Sequence, residues 1–197
     1  MFNGIIYHQG TIKKIVRRKE GIDLFLKSNI VVKKKNLGMS IACNGICLTL
    51  VSIKNKLLKF YLSYETIQRS NFKNVKKNLK INLELPIKFG QRISGHLSQG
   101  HVDTVAKLNN ITKKDRSYIY DFIIPKKFKN QLIEKASIHV NGVSLTISKI
   151  TKKGFQIWAI PHTLKLTNLS NLNKNEIVNI EIDILSKYIK KFLNEKK

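Results

Sequence analysis

Two stretches of the chain alternate branched apolar and small polar residues in the same order. Asn44-Gly45-Ile46-Cys47-Leu48-Thr49 and Asn141-Gly142-Val143-Ser144-Leu145-Thr146 lie 97 residues apart. Successive side chains of a strand point to opposite faces. Ile46, Leu48 and Leu50 therefore oppose Cys47, Thr49 and Val51, and Val143, Leu145 and Ile147 oppose Ser144, Thr146 and Ser148. Each Asn-Gly tolerates the positive φ values of a type I′ hairpin turn. The branched faces predict barrel interiors, and the small polar faces predict outward surfaces. A merely solvated strand face alternates in the same way. Recurrence of the small polar pair, once beside a thiol, favours a surface that faces a ligand.

The offset holds elsewhere. Ser40-Ile41 matches Ser137-Ile138, Thr66 matches Thr163, Asn71 matches Asn168, and Asn82-Leu83-Glu84 matches Asn179-Ile180-Glu181. A constant offset means two whole units, and a period this long suits a small β-barrel rather than a solenoid repeat. Within the units the pattern predicts an opening strand over 1–12 that starts at the first residue. Further strands are predicted at 39–53, 57–64, 81–85, 155–160 and 178–182, with a helical stretch at 125–135. Lys33-Lys34-Lys35 reads as a solvated loop, and Pro86 and Gly90 mark the link between halves. Ile184, Leu185, Tyr188, Ile189, Phe192 and Leu193 then recur at helical spacing with lysines between them. This predicts an amphipathic helix of about three turns with a frayed lysine end. It has no counterpart after the first unit, which favours a role in joining subunits. The expected architecture is all-β: two tandem antiparallel β-barrels of like fold (1–90 and 91–185) and a C-terminal helix (186–197).

Charge changes this picture little. The formal net charge is +25, from 37 basic and 12 acidic residues. Such an excess ordinarily points to nucleic acid or an anionic surface. Here it is mainly lysine, scattered over both halves and accompanied by many Asn and Ile residues, as a biased coding composition produces. No K/R-G-F/Y signature occurs, so no nucleic-acid partner is expected. Cys43 and Cys47 flank a turn and have no second pair to complete a zinc site. His96 and His101 read as structural rather than metal-ligating, so no metal is expected. Two thiols and a start lacking the basic and apolar regions of an export signal point to a reducing, cytoplasmic setting. No apolar run reaches membrane-spanning length.

The ordered set M-F-x-G-I, N-G-x-C-L-T, S-G-H-x-x-x-G-H-V-D, N-G-V-S-L-T, I-P-H-T and V-N-I-E-I-D resembles the riboflavin synthase α-chain over almost the whole chain. Each motif alone is weak, but the set in order is specific. The resemblance implies two Greek-key barrels and a helix that associates three chains. It implies a transferase reaction: two molecules of 6,7-dimethyl-8-ribityllumazine exchange a four-carbon unit, giving riboflavin and a ribitylaminopyrimidine without cofactor or metal. The substrates would stack between the N-terminal barrel of one chain and the C-terminal barrel of its neighbour. The C7 methyl of one lumazine must lose a proton while the other becomes electrophilic at C7. Holding the two rings together can supply roughly 7–11 kcal/mol. By resemblance, Ser144, His101, Cys47 and Thr146 are the catalytic candidates, with His101 a candidate proton relay. Thr49, Leu48 and Leu145 accompany them on the hexapeptides. Gly4, Ile5, Ile6, Tyr61, Leu62, Ser63, Tyr64, Glu65, Thr66, Gly100, Val102, Lys135, Trp158, Ala159, Ile160, Pro161, His162 and Thr163 would form the remaining walls. Phe2 would order the first strand near the site. Association with lumazine synthase, the enzyme of the preceding step, is a further partner that the resemblance raises.

Three positions depart from the family. Asn3 stands for a usual Thr, Ala136 for a usual Gly, and Asn141 for a frequent Asp. Ala136 is expected to stiffen its turn. Asn141 is read as a turn residue, because Asn44 fills the same turn in the first copy. The alternative function is a non-catalytic binder of lumazine or flavin on the same scaffold. Both barrels keep their hexapeptide, and Cys47, His101 and Ser144 are all present, which favours the enzyme.

Overall fold

The computed structural model describes residues 1–195; the lysines of the expected frayed end, 196–197, lie outside them. The first repeat forms β1 (His8–Arg18), β2 (Gly21–Ser28), β3 (Ser40–Cys43), β4 (Ile46–Lys54), β5 (Leu57–Ser63) and β6 (Lys80–Glu84). They close into an antiparallel barrel in the order β1-β2-β5-β4-β3-β6. The second repeat forms β7 (Thr104–Lys114), β8 (Ser117–Ile123), β9 (Ser137–Val140), β10 (Val143–Ile150), β11 (Gly154–Ala159) and β12 (Ile177–Ile182). It closes with the same ring order. The turns at Asn44-Gly45 (φ 48° and 79°) and Asn141-Gly142 (φ 47° and 77°) are left-handed at both positions, as a type I′ turn requires. Each barrel fills with its own branched face: Ile46, Leu48 and Leu50 in the first, Val143 and Ile147 in the second. Register breaks recur at matching places, Ile12/Lys14 with Leu108/Asn110 and Leu50/Ser52 with Ile147/Lys149. Such bulges bend strands enough for a six-strand sheet to close.

Short helices occupy corresponding loops: α1 (Tyr64–Arg69) follows β5, and α3 (Pro161–Leu166), with Pro161 in its first turn, follows β11. The helical stretch expected over 125–135 shrinks to α2 (Lys126–Lys129) followed by turns. The strand expected to reach residue 160 stops at Ala159, because Ile160 caps α3. Lys34–Asn36 is a short 3-10 turn. α4 (Ile184–Glu195) leaves the second barrel with Leu185, Tyr188, Ile189, Phe192 and Leu193 exposed.

The opening strand does not start at the first residue. β1 begins only at His8, and residues 2–6 reach across to the other barrel, where Ile6 joins the second core. The matching segment of the second repeat crosses in the opposite sense, and Val102 packs on the first core. The reason is local. Gly4 and Gly100 sit at φ 74° and 76°, which turns the chain before the strand begins. Their carbonyls accept from Ser144 N and Cys47 N, each at 2.9 Å, across the seam. Phe2 and Ser98 exchange two backbone hydrogen bonds (2.9 and 3.0 Å) where the two segments meet.

Buried asparagines join the barrels. Asn82 Nδ2 donates to the Asn141 carbonyl (3.0 Å) and to Asn168 Oδ1 (2.9 Å), and Asn82 Oδ1 accepts from Asn168 N (2.7 Å). Its counterpart Asn179 donates to the Asn44 carbonyl (2.9 Å) and accepts from Asn71 N (2.7 Å). Asn44 and Asn141 complete the network by accepting at Oδ1 from Asn82 N (2.8 Å) and Asn179 N (2.9 Å). Asn141 is thus a turn residue, as read from the sequence, and also a cross-seam acceptor.

Asn82→Ala removes two donated bonds and one accepted bond at a site that is 1% exposed. An unsatisfied buried partner costs about 1–3 kcal/mol. Urea unfolding should therefore show a loss of at least about 1 kcal/mol. A change below about 0.5 kcal/mol, the range of ordinary surface substitutions, would show that the seam does not depend on this amide.

Candidate functional site

The small polar face of β4 looks outward, as its alternation requires, and meets the crossing segment of the second repeat. Ile46, Cys47, Glu65, Thr66, Arg69, Ser70, Gly100, His101 and Val102 enclose a cavity of about 410 Å³. The chain brings Cys47 there through β4, Glu65 and Thr66 through α1, and Gly100–Val102 through the crossing segment. Ser63 caps α1 by accepting from Thr66 N (3.3 Å), which fixes Thr66 at the cavity wall. Gly100 is required: a Cβ there would sit 2.6 Å from Cys47 Cβ. Cys47 is half-buried beside the cavity. Cys43, two residues before the Asn-Gly turn's end, is fully buried, and burial pushes its thiol up.

The second repeat presents the corresponding surface with different occupants. Ser144 replaces Cys47, His162 and Thr163 on α3 replace Glu65 and Thr66, and Gly4, Ile5 and Ile6 replace Gly100, His101 and Val102. A Cβ on Gly4 would sit 2.6 Å from Ser144 N. The segment joining the barrels lies over Ser144, and His96 Nδ1 is 2.7 Å from Ser144 Oγ. The His96 ring lies against that of His139 of β9, with centroids 3.7 Å apart and the planes tilted by 32°. Burial, and then the neighbouring His96, hold His139 down at about 2. Burial lowers His96 as well, with Asp183 pulling the other way.

The remaining expected wall residues divide into groups. Leu48, Leu62 and Ala159 have their side chains in the barrel cores, and Leu145 packs against one. Thr49, Thr146, Ser63, Tyr64, Ile160 and Pro161 lie exposed along the same outer faces. Tyr61 donates its hydroxyl to the Glu20 carbonyl (2.9 Å), and Trp158 lies under Lys114 Nζ at 5.6 Å from the ring centre. Lys135 is exposed at φ 69° with its N–H on the Ile147 carbonyl (2.8 Å). None of these exposed residues lines the 410 Å³ cavity beside Cys47. Ala136, beside Lys135, is outside the left-handed region, so its turn does not need glycine. Asn3 Oδ1 accepts from Ile5 N (3.1 Å), a local turn that an amide makes readily.

Sequence reasoning missed two pairs. Glu84 accepts from Asn3 N (2.8 Å) and Gly4 N (3.1 Å), and Glu181 accepts from Ser98 Oγ (3.0 Å), Gln99 N (2.8 Å) and Gly100 N (3.0 Å). These carboxylates clamp the crossing segments, and their recurrence at the repeat offset was the available signal. The other pair is His96 with His139, which no spacing announces. A larger cavity, about 460 Å³, lies on the seam among Asn44, Asn71, Asn141 and Asn168, away from every expected site residue. Among the described residues no cluster of His, Cys, Asp and Glu could hold a metal ion, and no helix is long and apolar enough to cross a membrane.

Comparison with known proteins bears on this surface directly. Residues 3–86 and 99–183 each match the lumazine binding domain. The riboflavin synthase of Actinobacillus pleuropneumoniae is 35% identical over 100% of this chain and 91% of its own length. That of Bacillus subtilis (strain 168) is 35% identical over 99% of this chain and 91% of its own. Among solved structures, LumP complexed with 6,7-dimethyl-8-(1'-D-ribityl)lumazine superposes with a TM-score of 0.80 at 26% identity, covering 92% of this chain and 99% of that one. LumP complexed with riboflavin gives the same TM-score of 0.80 at 28% identity.

Burial lifts Glu84 to about 7, above its ordinary 4.5 and against the pull of the Asn3, Gly4 and Ile5 N–H groups. The folded state therefore holds this proton more tightly than the unfolded chain. The resulting stabilisation is complete below about pH 4.5 and is lost as pH rises through 7. Urea midpoints measured across this window should fall with rising pH, and Glu84→Gln should flatten the slope. An unchanged slope in the variant would remove Glu84 as its source.

Proposed function

The chain belongs to the lumazine-binding-domain family, whose riboflavin synthases it matches over its described length, and from that premise we propose that it is itself a riboflavin synthase. Two molecules of 6,7-dimethyl-8-ribityllumazine dismutate by four-carbon transfer to riboflavin and 5-amino-6-(D-ribitylamino)uracil, the last step of riboflavin biosynthesis. One observation carries the reading. Both barrels keep a complete outward face, with Cys47, Thr66 and His101 around one and Ser144, Thr163 and Gly4 around the other. A reaction that consumes two copies of one substrate needs two such faces. The likeness to LumP bound to lumazine and riboflavin supports the ligand class and also favours a second reading, a binder that does no chemistry.

In the proposed reaction the protein supplies position and proton traffic. Cys47 and Thr49 face one lumazine, Ser144 and Thr146 face the other, and His101 relays a proton near the C7 methyl. No metal or cofactor takes part, and the enzyme works in the cytoplasm. In this reading the stacked pair forms between chains of a homotrimer. The exposed stripe of α4 supports this, since an apolar patch of that size on a monomer calls for a partner. Lumazine synthase is a further associate in this reading, through the shared intermediate.

Purified protein mixed with dimethylribityllumazine alone should form one riboflavin per two substrates consumed. Tight binding of lumazine without riboflavin would instead establish the binder. Truncation from Ser186 onward should dissociate the trimer by light scattering and lower activity together, with both barrels still folded. A truncated monomer that is fully active would place the whole site within one chain.

A further inference from the structure

Ser144 is held by a histidine that the first barrel does not provide for Cys47. His96 Nδ1 lies 2.7 Å from Ser144 Oγ, while His96 Nε2 is buried and has no hydrogen-bond partner among the described residues. The ring is backed on one side by His139, whose ring is tilted by 32° with centroids 3.7 Å apart. The matching position in the first barrel is Ala42, and Cys47 makes no side-chain hydrogen bond among the described residues. The two outward faces therefore differ by more than a thiol for a hydroxyl.

The arrangement selects a tautomer. A neutral imidazole carries one N–H. On Nε2 that N–H would be a buried donor without an acceptor, and orphaned buried N–H groups are rare. On Nδ1 it donates to Ser144 Oγ and leaves only a bare ring nitrogen buried, a less costly vacancy. Burial favours the neutral ring, and Asp183 is the one charged group found to oppose it. With one Oγ lone pair taken by Nδ1–H, the serine's own hydrogen is released toward the open face.

We infer that His96 is a positioning residue that fixes Ser144 as a hydrogen-bond donor to the ligand of the C-terminal barrel. Ser144 then polarises an acceptor atom of the bound ring instead of removing a proton from it, and proton removal falls to other groups. The inference rests on the preceding reading only in naming that ligand a lumazine. The Gly95 backbone fits against Ser144 so closely that a Cβ there would lie 2.8 Å from Ser144 Cβ, which keeps the joining segment and its histidine in register.

Full-length protein with 15N-labelled histidine tests this without reference to activity. Long-range 1H–15N correlations near neutral pH should show His96 as the Nδ1–H tautomer, its signals identified by their loss in His96→Asn. An Nε2–H tautomer or an imidazolium would overturn the inference. In turnover, His96→Leu should lower kcat on the order of 10- to 100-fold with little change in KM. His96→Asn, whose amide can donate from nearly the Nδ1 position, should recover most of it. Folded variants that are both fully active, or both equally impaired, would overturn the donor role. Wild-type protein that makes no riboflavin but shows the Nδ1–H tautomer would sink the synthase reading and leave this one standing.

Discussion

A buried amide has to be answered by another polar group, and in this molecule the answer comes from the opposite repeat. Asn82 and Asn179 each donate to the hairpin turn of the other barrel, and Asn168 and Asn71 follow them across the seam. An apolar interface of the same size would tolerate sliding and rotation. A network of short, directional bonds at 2.7–3.0 Å does not, because any shift strands several donors at once. The two barrels are therefore set at one angle, with the Gly45 and Gly142 turns back to back. Every later feature of the site inherits that angle.

The crossing segments depend on it most. Gly4 and Gly100 can bond Ser144 and Cys47 only if each barrel presents its hexapeptide strand at the rim of the other repeat's opening segment. Glu84 and Glu181 then hold those segments from behind through backbone N–H groups. The outcome is two concave faces built by one rule from different side chains. One has a half-buried thiol and an open cavity. The other has a hydroxyl under a strap, backed by two buried imidazoles in ring contact. A symmetric scaffold has been given asymmetric chemistry by changes at a few positions.

Much of this was legible in the chain. Strand alternation named the inner and outer faces of β4 and β10 up to the register breaks at Leu50/Ser52 and Ile147/Lys149, because a closed barrel enforces period two wherever the ladder is regular. The constant offset announced two like units, and the apolar spacing of residues 184–193 announced α4. The opening strand over 1–12 is only partly legible, because Phe2 to Ile6 carries an apolar pattern that fits either barrel. Only the long-range bonds of Gly4 decide which one, and periodicity contains no such information. The asparagines were seen as matching positions and as turn formers. Their second use, as cross-seam donors, needs the third dimension. His96 was read as structural, but its pairing with His139 was invisible for the same reason: the two are 43 residues apart and meet only after the joining segment folds over β10.

The crossing of the opening segments has a bearing on how the chain matures as it is made. Residues 2–6 leave the ribosome before the strands of either barrel, yet Ile6 belongs to a core whose last strand ends at Ile182. The first barrel can assemble early, as N-terminal units generally do during synthesis. Its leading residues must then wait, unpaired, until nearly the whole chain has emerged. Val102 reaches its place on the first barrel's core long before that. The two halves of the seam are thus closed at different times, the rim of the first barrel early and that of the second last. An extension or modification at the amino terminus would consequently act on the final step of assembly, leaving the earlier ones untouched.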